Sequence, residues 1–223
     1  MYTWNWHVVL DNKQVFVEGA LVTIGLTLLV VVIGTLLGTI LALMRRSKDS
    51  VLSFLARIFI ELFRALPILV LLIWIFYVGP IIFNIRFSPF AAGVLALSLN
   101  LAAFVAETVR AAIESIPRHQ YESGLVLGLT PWQTMRRVIL PQATRNMVPN
   151  LLGLYITQLK NSSLVSVIAV NELLHQANLL ISNTYRPLEI YTAVAIGYLI
   201  LIIPLILVAN HFEKKLQRRV RTA

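Results

Sequence analysis

Residues 117–143 read PRHQYESGLVLGLTPWQTMRRVILPQA. This polar stretch separates three apolar segments from two more, and it far exceeds the about 2–8 residues that join helices in bundles. It carries turn residues, a helix stop, a helix start and basic side chains. Tyr121 and Leu125 stand four apart on one helical face. Gly128 suits a left-handed helix cap. Thr130 then fits an N-cap, Pro131 the first helical position and Gln133 the third, which together make a capping box. Trp132, Met135 and Ile139 share a face; Pro141 is expected to stop this helix and Pro149 to open the next segment. Two short helices of this kind need a surface against which to bury their apolar sides. The chain's own helix ends, the bilayer or another protein can supply it.

The rest of the chain is built for lipid. Of its 223 residues, 58% are hydrophobic and 13% charged, against about 25% charged in soluble domains. With a mean hydropathy of +0.79, it has too little polar surface to wrap one soluble core, so an all-α integral membrane protein is expected. There is no cysteine, which excludes disulfides, thiol catalysis and cysteine metal sites. His175 is alone, without a second ligand at metal spacing, and reads as a surface residue.

Five transmembrane helices are expected, over about 19–44, 65–83, 89–109, 147–170 and 188–212. The first is too long for a signal-peptide core, and its basic cluster Arg45, Arg46 and Lys48 follows it. It holds a GxxxG, Gly34 to Gly38, which either receives a close helix or is a chance pair. Ahead of it, Trp4 and Trp6 either sit at a membrane interface or have no role. Before the second run, Ser53, Arg57, Glu61 and Arg64 form one helical stripe, and Glu61 can pair with Arg64. This helix over 51–64 lies in or on the membrane, its charges either solvated or lining a pathway. Pro89 opens the third run. Glu107, about 27 Å further along, reaches the far interface beside Arg110, which disfavours a proton-relay role.

The fourth run is the most polar. Gln158, Ser162 and Ser166 recur every four residues beside Thr157 and Asn161. Lys160 lies roughly 20 Å into it. A lysine there either serves a pathway or snorkels to the nearer interface. Residues 171–187, with Glu172, His175 and Arg186, read as an outer loop, and Pro204 is expected to kink the fifth helix.

Charge sets the topology. Arg45, Arg46, Lys48, Arg57, Arg64, Arg110, Arg118, Arg136, Arg137, Arg145, Lys214, Lys215, Arg218, Arg219 and Arg221 fall on one side; Lys13, Arg86 and Arg186 fall on the other. Fifteen against three is a positive-inside bias, with the N-terminus outside, the C-terminus cytoplasmic and the 117–143 loop between helices 3 and 4 inside. Spread over three inner segments without aromatic interleaving, these charges do not make a nucleic-acid surface.

Glu122-Ser123-Gly124, three residues, Gly128, nine residues, then Val138-Ile139-Leu140-Pro141 resembles the EAA loop of ABC importer permeases. It departs from that pattern at Ser123, Gly124 and Val138. Glu61-Leu62-Phe63-Arg64-Ala65-Leu66-Pro67, Gly128 to Gln133 and Lys160 to Leu164 are similar to the polar amino acid branch, the histidine, glutamine and glutamate permease type. The resemblance covers nearly the whole chain. It implies a permease subunit in a bacterial inner membrane, paired with an identical or sister permease. It implies two cytoplasmic ATPases holding ATP and Mg, and an extracytoplasmic amino-acid-binding protein. Coupling then falls to Arg118, Tyr121, Glu122, Ser123, Gly124, Gly128 and Pro141, with the coupling helix at about 118–128.

The chain has no GxxxxGK[ST] stretch, so it has no phosphate cradle of its own; if transport is ATP-driven, hydrolysis must lie in a partner. Gln158, Lys160, Asn161, Ser162, Glu61 and Arg64 are the candidate pathway residues, with Lys160 able to hold a carboxylate. An ATPase-independent channel or secondary transporter would not need the inner loop. A membrane scaffold would not need the polar fourth helix. Within the family, an opine or a sulfur amino acid is an alternative cargo.

Overall fold

The computed structural model describes residues 2–47 and 49–221, with side chains described as far as Lys214. Lys48 and the side chains of Lys215, Arg218, Arg219 and Arg221 lie outside the described residues. All regular structure among the described residues is helical. In chain order the helices are α1 His7–Asp11, α2 Lys13–Arg45, α3 Ser50–Ala65, α4 Ile68–Phe83, α5 Pro89–Glu114, α6 Arg118–Val126, α7 Pro131–Ile168, α8 Leu173–Thr184 and α9 Pro187–Arg221. Among the described residues three of them, α2, α5 and α9, are long and apolar enough to cross a membrane alone; if each of the bent pairs α3–α4 and α7–α8 is one span, the total is five.

α5 is the centre of the bundle. Of its apolar window 61% is buried, against 28% for α2 and 11% for α9. Helix burial in lipid gains little from hydrophobicity, so close packing must hold the pair α2–α5 together. The GxxxG supplies it. A β-carbon at Gly34 would stand 2.8 Å from Leu101, and one at Gly38 would stand 2.6 Å from the Ala102 carbonyl. Both glycines are contact points. The core continues through Leu26, Val30, Leu72, Leu97, Leu101 and Val165, all within 1% of full burial.

The α3–α4 pair bends by 106° at Leu66-Pro67. A residue before proline is pushed to extended backbone, and Leu66 has φ −74°, ψ 131°. So α3 lies nearly across α4. Asp49 caps it by accepting hydrogen bonds from Val51 and Leu52 N–H. The expected Glu61–Arg64 pair does not form. Arg64 turns to Glu107 at 3.7 Å, and Glu61 is exposed.

Two expectations about prolines fail. Pro141 does not stop a helix, and Pro149 does not start one: α7 runs through both. Ahead of Pro141, residues Met135–Ile139 form a π turn, with Leu140 N–H bonded five residues back to Met135 O. Ahead of Pro80, Trp74–Val78 do the same, with Gly79 N–H bonded to Trp74 O. Proline lacks an N–H for the carbonyl four residues back and clashes with it; the wider turn moves that carbonyl away.

The expected outer loop at 171–187 also contains a helix, α8, packed on α2 and α9. Glu172, fully buried, caps it by accepting from His175 N–H at 2.8 Å, and takes the Tyr198 hydroxyl at 2.7 Å. His175 is half-buried, not a free surface residue.

Candidate functional site

The 117–143 stretch folds as its local grammar dictates. α6 ends in a complete Schellman motif: Gly128 has φ +78°, its N–H bonds Leu125 O, and Leu129 N–H bonds Gly124 O at 3.1 Å. The capping box closes, with Thr130 Oγ1 accepting from Gln133 N–H at 3.3 Å and Gln133 Oε1 accepting from Thr130 N–H at 2.9 Å. Gly124 is buried against Thr134, where a β-carbon would stand 2.6 Å from Cγ2. Arg118, Glu122, Ser123, Gly128 and Pro141 are exposed, and Tyr121 is half-buried.

Arg118, Tyr121 and Glu122 line a cleft of about 680 Å³ with Arg46 and Glu114. Trp132, Met135 and Ile139 do not act as one face, because Ile139 is buried while Trp132 is 68% exposed. Trp132, at the start of α7, and Leu125, Val126 and Leu127, at the end of α6, are each exposed apolar side chains flanking the same turn.

A second site lies between α3, α5 and α7. A cavity of about 270 Å³ is lined by Arg64, Asn100, Phe104, Thr157, Gln158 and Asn161, among others. That volume is near the lower end of the about 300–1,000 Å³ range of small-molecule pockets. Thus three of the six expected pathway residues, Arg64, Gln158 and Asn161, converge. Glu61, Lys160 and Ser162 do not line the cavity. Glu61 and Lys160 are exposed, and Ser162 is buried with its hydroxyl bonded to Leu159 O at 2.7 Å. Lys160 closes the last α-helical turn before Ser162–Ile168 tighten into a 3₁₀ helix, where a cation also suits the helix dipole.

The cavity is asymmetric in its hydrogen bonding. Gln158 is 3% exposed, and its Oε1 has no partner; leaving such an acceptor empty costs about 1–3 kcal/mol. Asn100 Nδ2 is held by Phe63 O at 3.1 Å. Arg64 makes no hydrogen bond closer than its 3.7 Å approach to Glu107, and its guanidinium lies 5.7 Å from the centroid of Phe104. The cavity lining thus combines a weakly paired guanidinium on Arg64 with Gln158, whose Oε1 has no partner among the described residues. Asn100 and Phe104 escaped the sequence reading. The one asparagine within the apolar run of α5 was the available signal for the first.

Comparison with known proteins covers most of the chain. The family model of the binding-protein-dependent transport system inner membrane component matches residues 34–222. The glutamine transport system permease protein of Escherichia coli (strain K12) is 35% identical over 214 residues, covering 96% of this chain and 98% of that one. The L-cystine transport system permease protein of Bacillus subtilis (strain 168) is 38% identical over 217 residues, covering 96% and 92%. A crystal structure of an amino acid ABC transporter with histidines superposes with a TM-score of 0.91 at 36% identity, covering 96% of this chain and 100% of that one.

Proposed function

The chain belongs to the binding-protein-dependent transport system inner membrane components, and we propose that its Arg64–Gln158 cavity forms part of the translocation pathway. It is the permease subunit of an ABC importer for polar amino acids. As a transporter component it performs no catalysis itself; ATP and Mg are held, and ATP hydrolysed, by partner subunits. The observation that carries the cavity reading is a lining that holds both Arg64, paired with Glu107 only at 3.7 Å, and Gln158, whose Oε1 has no partner among the described residues. Arg64 takes the cargo's carboxylate by charge-assisted hydrogen bonds, and Gln158 accepts from its ammonium. Relatives named for glutamine and for cystine support a zwitterion with a neutral side chain. Glu61 and Lys160, exposed beside the cavity, extend the pathway toward a second permease subunit.

The exposed Leu125, Val126, Leu127 and Trp132, with the cleft around Tyr121 and Glu122, receive a cytoplasmic ATPase. A second permease, two ATPases and an extracytoplasmic binding protein complete the transporter. The N-terminus lies outside, with five membrane crossings and the 117–143 loop in the cytoplasm.

Direct binding of labelled glutamine to the assembled transporter tests the cavity. A charge-assisted hydrogen bond is worth about 1.5–3 kcal/mol, so Arg64→Met should weaken Kd about ten- to a hundredfold. Unchanged affinity in a correctly assembled variant would place the cargo elsewhere. Lys160→Ala should lower uptake with assembly intact, and wild-type uptake would remove Lys160 from the pathway.

A further inference from the structure

Between the cavity and the coupling cleft runs an unbroken series of ion pairs. Glu107 is shared by three guanidinium groups: Arg45 Nη1 at 2.9 Å, Arg110 through two hydrogen bonds, and Arg64 Nη1 at 3.7 Å. Arg110 also pairs with Glu114. Arg64 lines the cavity at one end, and Glu114 lines the cleft with Arg118, Tyr121 and Glu122 at the other. Three cations and two anions leave one positive charge in excess. Arg64 is the member held most weakly, since its only carboxylate contact among the described residues is the 3.7 Å approach.

We propose that the ladder Arg64–Glu107–Arg110–Glu114 reports cargo occupancy to the coupling cleft. A carboxylate entering the cavity competes with Glu107 for Arg64. Glu107, left with Arg45 and Arg110, commits its whole charge to them, and Arg110, held by two hydrogen bonds to Glu107, loosens its hold on Glu114 at the cleft wall. Glu114, the one group left without its cation, is 59% exposed and is solvated instead, so no charge is stranded in a poorly solvated place. The ends of α2, α3 and α5 meet at Glu107, so the exchange acts on the joint between these helices. By linkage the coupling is reciprocal: whatever engages Glu114 at the cleft shifts cargo affinity by the same factor. The ladder rests on the reading of the cavity as the cargo site, and its test separates the two.

The test uses the complete transporter, permease with ATPase, in lipid nanodiscs, with glutamine as probe. It reads glutamine Kd and the stimulation of ATP hydrolysis by saturating glutamine. Glu114→Gln should keep or tighten Kd, because cargo no longer has to loosen the Arg110–Glu114 pair, while stimulation falls about fivefold or more. Glu107→Gln should keep or tighten Kd, because Arg64 is released, and should also lose stimulation. A residue that merely held the fold would move both readouts together. Should Glu107→Gln fail to assemble, Glu114→Gln decides alone, since its side chain is 59% exposed. Wild-type stimulation in an assembled Glu114→Gln transporter, with Arg64→Met still weakening Kd, overturns the ladder and leaves the cavity reading standing. Unchanged Kd in Arg64→Met overturns the cavity reading and the ladder with it.

Discussion

A single methyl group separates this chain from the family pattern at Gly124. Glycine there costs the coupling helix about 1 kcal/mol of propensity relative to alanine. The structure shows why the methyl is missing: Thr134 Cγ2 occupies its space, 2.6 Å from where a β-carbon would stand. Overpacking costs about 1–3 kcal/mol, which outweighs or cancels the propensity gain. Gly124→Ala should therefore destabilise the permease by about 0–2 kcal/mol, and Thr134→Ala in the same chain should restore it. A thermal-unfolding double-mutant cycle checks this; additive effects would mean that the two residues do not share the space. Gly128 was legible from sequence because its demand is local. Its left-handed backbone, φ +78°, costs other residues about 1–2 kcal/mol, so Gly128→Val should fray the end of α6 and weaken ATPase docking. The Gly124–Thr134 fit was not legible, because it depends on how two helices meet.

Helices were legible where apolar runs are long, and misjudged where proline or an unusual cap intervenes. Pro141 was expected to end a helix, yet the π turn at Met135–Ile139 carries the helix past it. The same device precedes Pro80. A π turn adds a residue without adding a turn, so it rotates the segment before it by about 100° relative to the segment after. Pro141→Ala allows the helix to rewind and turn Trp132 away from Leu125–Leu127. We expect folding stability within about 1 kcal/mol of wild type, as removing a helical proline is not itself costly. Cargo-stimulated ATP hydrolysis should nevertheless fall severalfold; undiminished stimulation would show that the π turn does not orient the docking face. Helix α8 escaped the sequence reading for a related reason. Leu173, Ala177 and Leu180 form a buried stripe, but its cap is Glu172, outside the Ser, Thr, Asp and Asn set that signals a helix start.

At the scale of the molecule, composition and charge placement were the strongest signals, because the bilayer constrains helix length and basic residues together. What they could not give was the order of packing. The α5 window is 61% buried and the α9 window only 11%, and α5 owes part of its burial to the close contacts of Gly34 and Gly38 on α2, which hydropathy does not report. Because the chain contains no cysteine, each introduced one is unique. Thr3→Cys should react with a membrane-impermeant maleimide on intact cells, and Glu122→Cys only after the inner face is opened; the reverse pattern would invert the topology. This permease is expected to move a polar amino acid only when its 117–143 loop is driven by an ATPase. Uptake of labelled glutamine into proteoliposomes, with binding protein outside and ATPase and ATP inside, tests it most directly. The account predicts uptake that requires ATP and is lost in Glu122→Lys; uptake that proceeds without ATP, or survives that substitution undiminished, would contradict it.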